Sequence, residues 1–239
     1  MRLIPGNTGF SAPFVVHTID PSSWGGEAKV KRFLGCAFPC ASTGVLATCN
    51  HVINEIFEDE MLVVWHLTET VCYKANILAQ HNKFDIAFLK IEAKTPLWAF
   101  PILDELPLGT IVDSYGYYDT CIENQILEII PQMFTGTITA TPTKNFGLQT
   151  GLPFYQISFP ALPGFSGSPL YADYEKGSAL CGMIFENRSS KIVVRTIEEY
   201  KDGKTHFIEK SVREWESGVA HTTKTINSAA EDFGIKIWQ

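Results

Sequence analysis

Short apolar or alternating runs, each cut off by Gly, Pro or Asn, fill most of this 239-residue chain. Runs of that length suit strands with one face on a core and are too short for most helices. The pattern predicts an all-β protein with strands at 30–37, 44–48, 61–67, 70–80, 86–92, 111–117, 126–130, 133–140, 154–158 and 180–186. Two helical signals stand out. Residues 51–57 read as a short helical turn. Residues 223–233 place Ile226, Ala229, Ala230 and Phe233 at i, i+3, i+4 and i+7, the stripe of a C-terminal helix. Hydrophobic residues make up 45% of the chain, with 16 Phe, enough for a large core, and a charged fraction of 19% argues against disorder.

Chemistry concentrates in three places. Gly164-Phe165-Ser166-Gly167-Ser168-Pro169 sets a serine on a glycine-bracketed turn. Thr48-Cys49-Asn50-His51-Val52 ends an apolar run on a histidine, and Phe84-Asp85-Ile86-Ala87-Phe88-Leu89 opens one with an aspartate. A serine hydroxyl is a weak nucleophile and needs a base within hydrogen-bond reach. His51 suits that task, and Asp85 suits the task of fixing its tautomer. Each motif alone is weak, since Gly-x-Ser-Gly occurs in ordinary turns. Their joint order, His then Asp then Ser, is what gives them weight.

That order, with these motifs, resembles the chymotrypsin/trypsin superfamily, and in particular the bacterial trypsin-like and HtrA-like peptidases. The resemblance spans about residues 30–225 and implies two antiparallel β-barrels followed by a C-terminal helix. It assigns residues 1–97 to a first barrel carrying His51 and Asp85, 98–109 to a linker, and 110–239 to a second barrel carrying Ser166. The proline-rich stretch 94–108 (Pro96, Pro101, Pro107) fits the linker. The family pattern also implies catalysis by His51, Asp85 and Ser166, an oxyanion hole from the amides of Gly164 and Ser166, and a pocket near Pro160, Ala161, Phe185, Glu186 and Asn187. These residues suggest a small or apolar P1 side chain. Phe165 stands where secreted trypsins carry the Asp that pairs with a newly cut N-terminus, so activation by trimming is not expected. The ring should instead pack in the second barrel and fix the loop.

Other classes are disfavoured. The net charge of −7 gives no basic footprint for nucleic acid. No run reaches the ~20 apolar residues of a membrane span. The start, Met1-Arg2-Leu3-Ile4-Pro5-Gly6, lacks the apolar core of a signal peptide. The six cysteines (Cys36, Cys40, Cys49, Cys72, Cys121, Cys181) therefore read as buried free thiols of a cytoplasmic, bacterial protein. Cys36-x3-Cys40 has no second ligand pair at zinc spacing, so neither metal nor cofactor is expected. Too little chain follows Ser166 for a PDZ domain. His17, His66, His81, His206 and His221 read as surface or hydrogen-bonded residues. Finally, 191–200 and 205–215 alternate around Lys201-Asp202-Gly203-Lys204, a hairpin signal. This is either a plain solvated hairpin or a surface for a regulatory protein beside the substrate cleft. A catalytically idle fold used for binding and a viral-type processing protease are the competing functions.

Overall fold

A computed structural model describes residues 12–66, 71–93, 97, 100–123, 126–141, 153–174, 177–201 and 204–238. The strands are β1 (Phe14–Ile19), β2 (Val30–Ala41), β3 (Val45–Cys49), β4 (Met61–His66), β5 (Val71–Lys74), β6 (Asn76–His81), β7 (Ile86–Lys90), β8 (Ile111–Glu123), β9 (Ile126–Ala140), β10 (Phe154–Ile157), β11 (Pro169–Tyr174), β12 (Gly177–Lys201) and β13 (Lys204–Thr222). The helices are α1 (Asn50–Ile53) and α2 (Thr223–Asp232). All strand pairs within the two sheets are antiparallel. The first sheet runs β5-β4-β1-β2-β3-β7-β6 and curls into a half-barrel. The second closes as β10-β13-β12-β11-β8-β9, with β9 returning to pair with β10. This is the chymotrypsin-like double-barrel arrangement, with its first member an open curl.

Most strands lie where alternation placed them, and the departures have local causes. The run 70–80 is two strands, because the chain changes neighbours at Ala75: β5 pairs with β4 and β6 with β7. Thr70 of that run, Leu67 of the run before it, and Asp202-Gly203 of the hairpin fall outside the described residues. Residues 126–130 and 133–140 are one strand that continues through Pro131, paired only with β8 at that level. A proline is tolerated where its missing N–H faces an unpaired edge. Two strands were not foreseen. β1 is buried at all six positions and so shows no alternation. β11 starts on Pro169, directly after the serine turn.

The half-barrel core reaches into the second half of the chain. Phe38, Leu46, Phe88 and Leu89 share one buried cluster with Tyr171, Leu180, Met183 and with Ile226, Ala229 and Ala230 of α2. The Thr222 side chain caps α2 by accepting from Thr225 N–H at 3.2 Å. Phe233 lies outside the expected stripe: it is exposed, with the His81 ring edge-on to it at 5.8 Å. Between the sheets the chain straps along β12, with Leu103 N–H donating to Leu180 O (2.9 Å) and Leu180 N–H to Pro101 O (2.8 Å). His17, His66 and His221 are buried, not at the surface, because β1, β4 and β13 turn them inward.

Candidate active site

Antiparallel pairing explains why residues far apart in sequence meet. Cys49, at the end of β3, lies opposite Ile86, at the start of β7. The next residues outward are therefore α1, carrying His51, and the β6–β7 turn, carrying Asp85. Asp85 takes both of its carboxylate oxygens to His51: Oδ1 accepts from the backbone N–H at 2.8 Å, and Oδ2 lies 2.6 Å from Nδ1. The Asp85 carbonyl accepts from Asn50 N–H at 3.0 Å. Asp85 holds a φ of 53°, a left-handed conformation that Asp tolerates better than most residues. With Nδ1 bonded to a carboxylate, the neutral imidazole leaves Nε2 as an acceptor.

The serine turn is wedged against the half-barrel. Ser166 O accepts from Cys36 N–H of β2 at 2.9 Å, and Gly167 N–H donates to Ile184 O at 2.9 Å. A Cβ on Gly35 would lie 2.8 Å from Ser166 O and 3.0 Å from a Val52 methyl, so the serine turn and the residue after His51 flank one glycine. Gly167 is the tightest point. Its φ is +85°, and a Cβ there would fall 1.9 Å from Cys36 O, which also accepts from Thr48 Oγ1 at 2.7 Å. Gly167→Ala is expected to cost about 3 kcal/mol or more, through strain and through separation of the turn from β2. An unchanged denaturant midpoint would contradict that.

Gly164 (φ +92°) lies under Phe33 and Tyr117 O, and its own carbonyl accepts from the Cys36 thiol at 3.2 Å. Phe165 N–H is occupied by Leu162 O, whereas among the described residues the amides of Gly164 and Ser166 have no acceptor. The Phe165 ring is fully buried and meets Phe134 edge-on at 5.3 Å inside the second barrel. Ser168 is fully buried beside Gly116, which removes it as a rival nucleophile. The structure thus joins His51 to Asp85 and brings the Ser166 carbonyl and Val52, the residue after His51, to the same glycine, Gly35. No hydrogen bond links the Ser166 hydroxyl to His51; such contacts are often long before substrate binds.

Cys49 Sγ completes a group with His51 and Asp85 whose ligand atoms lie within 4.8 Å of one another. Burial raises the Cys49 thiol well above its ordinary pKa, and Sγ donates to Ile184 O at 3.3 Å. A protonated thiol and an Nδ1 already engaged make poor metal ligands.

The pocket residues are only partly united. Ala161 N–H donates to the Asn187 side chain at 3.1 Å, which ties the segment before the serine to β12. Pro160 and Ala161 are half-buried, and Glu186 and Asn187 are exposed. The Phe185 ring lies flat on His221 at 3.8 Å. His221 is buried, its Nε2 has no partner among the described residues, and burial lowers its pKa to about 3, with the nearby Asp85 raising it and His51 lowering it. Two adjoining cavities, of about 310 and 670 Å³, lie beside Asp104, Glu105 and Lys224, away from this site.

A model of the trypsin-like peptidase domain matches residues 35–183, a span that holds His51, Asp85 and Ser166. The chain belongs to that family. Among curated proteins, it is 27% identical over 155 residues to a probable periplasmic serine endoprotease, DegP-like, of Ectopseudomonas mendocina, covering 63% of this chain and 29% of that one. A protein of the same description from Pseudomonas fluorescens is 28% identical over 151 residues, covering 62% and 28%. The chain thus spans under a third of the length of these relatives. Among solved structures, the HtrA-type protease AlgW with a decapeptide superposes with a TM-score of 0.59 at 20% identity, covering 95% of this chain and 64% of that one. A variant of that protease with a tripeptide gives the same TM-score at 19% identity, covering 95% and 60%. The trypsin-like chain thus shares the fold of the HtrA-type structures.

Two residues beside the trypsin-like site were read from sequence only as surface or hydrogen-bonded histidines. His221 underlies Phe185 near Asp85, and His81 precedes the Asp85 turn. Neither carries a local sequence signal for the contacts that cross the fold, His221 with Phe185 and His81 with Asp232.

Proposed function

We propose that this trypsin-like chain is a serine endopeptidase. The observation that carries the reading is the double hydrogen bond between His51 and Asp85 beside the Ser166 turn. His51 Nε2 takes the proton as Ser166 Oγ attacks the scissile carbonyl. Asp85 holds the ring and stabilises the imidazolium. The free amides of Gly164 and Ser166 receive the oxyanion, each worth about 3–4 kcal/mol in such sites. Collapse transfers the His51 proton to the leaving amine and leaves an acyl-enzyme on Ser166; water activated by His51 then releases the acid. Pro160 and Ala161 favour a small or apolar P1 side chain. The test is a fluorophosphonate probe. Adduct mass on the peptide containing Ser166 is the expected result, and a folded but unlabelled protein favours a binding module instead.

The substrate is a protein or peptide, and the 191–215 hairpin is a surface for a regulatory protein. Its ribbon leaves Ile192 and Trp215 60% and 66% exposed on one face, and Val193 paired with Val212 on the other. A two-stranded ribbon gains stability when such surface is covered.

The compartment we propose is the bacterial cytoplasm, supported by the thiols. Cys36, Cys40, Cys49, Cys72 and Cys181 are free; Cys72 is half-buried and the others buried, while the Cys121 side chain lies outside the description. Burial pushes Cys36 and Cys72 up to about 11 and the other three higher. Thiolates react and thiols do not, so native protein should resist a disulfide reagent at neutral pH, with Cys72 reacting first. Denatured under non-reducing conditions, it should titrate as fully reduced. Two or more missing thiols would overturn the reducing-compartment reading.

A further inference from the structure

The β6–β7 turn that carries Asp85 is held from outside its own sheet. His81, the last residue of β6, receives Phe84 N–H on Nδ1 at 3.2 Å, a donor it shares with its own carbonyl. Its ring stacks on Phe84 at 3.9 Å and 17°. On the far side Nε2 lies 3.1 Å from Oδ2 of Asp232, the last residue of α2. The tautomer follows from these contacts. A nitrogen that accepts an N–H carries no proton, so the proton of the neutral ring is on Nε2 and is donated to Asp232. The His81 side chain is 13% exposed and Asp232 57%. Lys83 lies over the Phe84 ring at 5.5 Å and is the cation facing this turn. On the α1 side, Asn50 bonds the Asn82 side chain at 3.0 Å and the Gln80 side chain at 3.1 Å.

Asp85 needs such support. A left-handed non-glycine residue persists only where its surroundings over-determine it. Its neighbours inside the turn are Lys83, Phe84 and Asn82, and only Phe84 is buried. The α1 contacts fix one end of the turn. The His81–Phe84 contacts fix the residue immediately before Asp85, and Asp232 fixes His81.

We infer that His81 and Asp232 are positioning residues for the Asp85 carboxylate, with the end of α2 locking the turn that orients His51. The inference rests on the His51–Asp85–Ser166 reading of the active site. It gives α2, whose sequence lies beyond the matched peptidase span, a role at the catalytic centre.

The test uses the full chain and two readouts. One is the rate at which a fluorophosphonate probe acylates Ser166, followed with pH. The other is the low-field proton signal of His51 Nδ1–H. Asp232→Ala is expected to slow acylation roughly 10- to 100-fold, the scale of a small misplacement in an active site, and to shift or broaden that signal. Asp232→Asn keeps an acceptor for the Nε2 proton and should restore both. His81→Ala should match Asp232→Ala, and the double variant should be no slower than either single one. Circular dichroism and the thermal midpoint check that each variant is folded; Asp232 is at the surface, so its variants fold. An Asp232→Ala protein with the wild-type rate and signal, beside an inactive Asp85→Asn, overturns the lock and leaves the triad standing. An Asp85→Asn protein as fast as wild type overturns the triad reading, and the lock with it.

Discussion

Ser166→Ala is expected to lower peptide-bond hydrolysis by roughly 10⁶-fold, leaving only what the oxyanion amides and substrate binding supply. The size follows from the way triad members act as a unit. Without Oγ there is no acyl-enzyme, and His51 and Asp85 have nothing to activate but water. His51→Ala should fall as far, because the hydroxyl then has no base. Asp85→Asn should lose about 10⁴-fold with the fold intact, since an amide donor facing Nδ1 favours the wrong tautomer. Combining Ser166→Ala with His51→Ala should add almost nothing. Progress curves on any protein substrate that the wild type cuts decide the matter: equal turnover by wild type and Ser166→Ala would falsify the assignment. Stability should be little changed in Ser166→Ala, because the turn is held by the backbone bonds of Ser166 and Gly167 and not by the hydroxyl.

The second large effect is acid sensitivity. Burial lowers His17 to about 4, with a backbone bond at Val15 opposing it, and lowers His221 to about 3. Both rings are neutral in the fold and take up protons near pH ~6.5 once unfolded. Below that pH the unfolded chain binds more protons, so stability falls as pH falls. The contribution is fully present above pH ~6.5 and declines until the folded values, about 4 and about 3, are passed. The depressions correspond to roughly 3 kcal/mol for His17 and about 4–5 kcal/mol for His221 at the low end. Against a typical stability of ~5–15 kcal/mol, this is enough to unfold a protein in the lower part of that range once pH falls to ~3–4. Urea midpoints should drop steeply from pH 7 to 4.5, and His17→Leu should flatten the curve. A midpoint constant over that range would refute the prediction. Carboxylates contribute below about pH 5, so the difference between wild type and variant isolates the imidazole.

The parts of this architecture that were legible in the sequence are the local ones. Short apolar runs marked β2, β4 and β7, which are buried over much of their length, and Lys201-Asp202-Gly203-Lys204 marked the β12–β13 turn. The serine turn was legible because its glycines are required by geometry: Gly164 and Gly167 hold positive φ, and a Cβ on either would fall within 2.6 Å of other backbone. Non-local features were not visible. β1 is buried on both sides, so its sequence carries no period. His221 looks like one polar residue in an alternating run, yet β13 carries it behind Phe185. His81 looks like a turn residue until α2, over a hundred residues later, supplies Asp232. The stacking of Phe185, a residue assigned to the pocket, on His221 was equally invisible, because no local pattern pairs the two.

The bond between Ser166 O and Cys36 N–H has a consequence for how the protein is made. Its two ends are separated by most of the chain, so it forms late, after the long-range pairings of both sheets. A ribosome exposes β2, His51 and Asp85 well before the serine turn. The half-barrel is not complete at that stage, because its core also takes Tyr171, Leu180 and Met183 and, from α2, Ile226, Ala229 and Ala230, and the Asp85 turn meets Asp232. Only when β11, β12 and β13 have closed their barrel does Gly167 come to rest on Cys36. The site is therefore assembled only once β11, β12, β13 and α2 have all joined the half-barrel core and the serine turn has seated on β2.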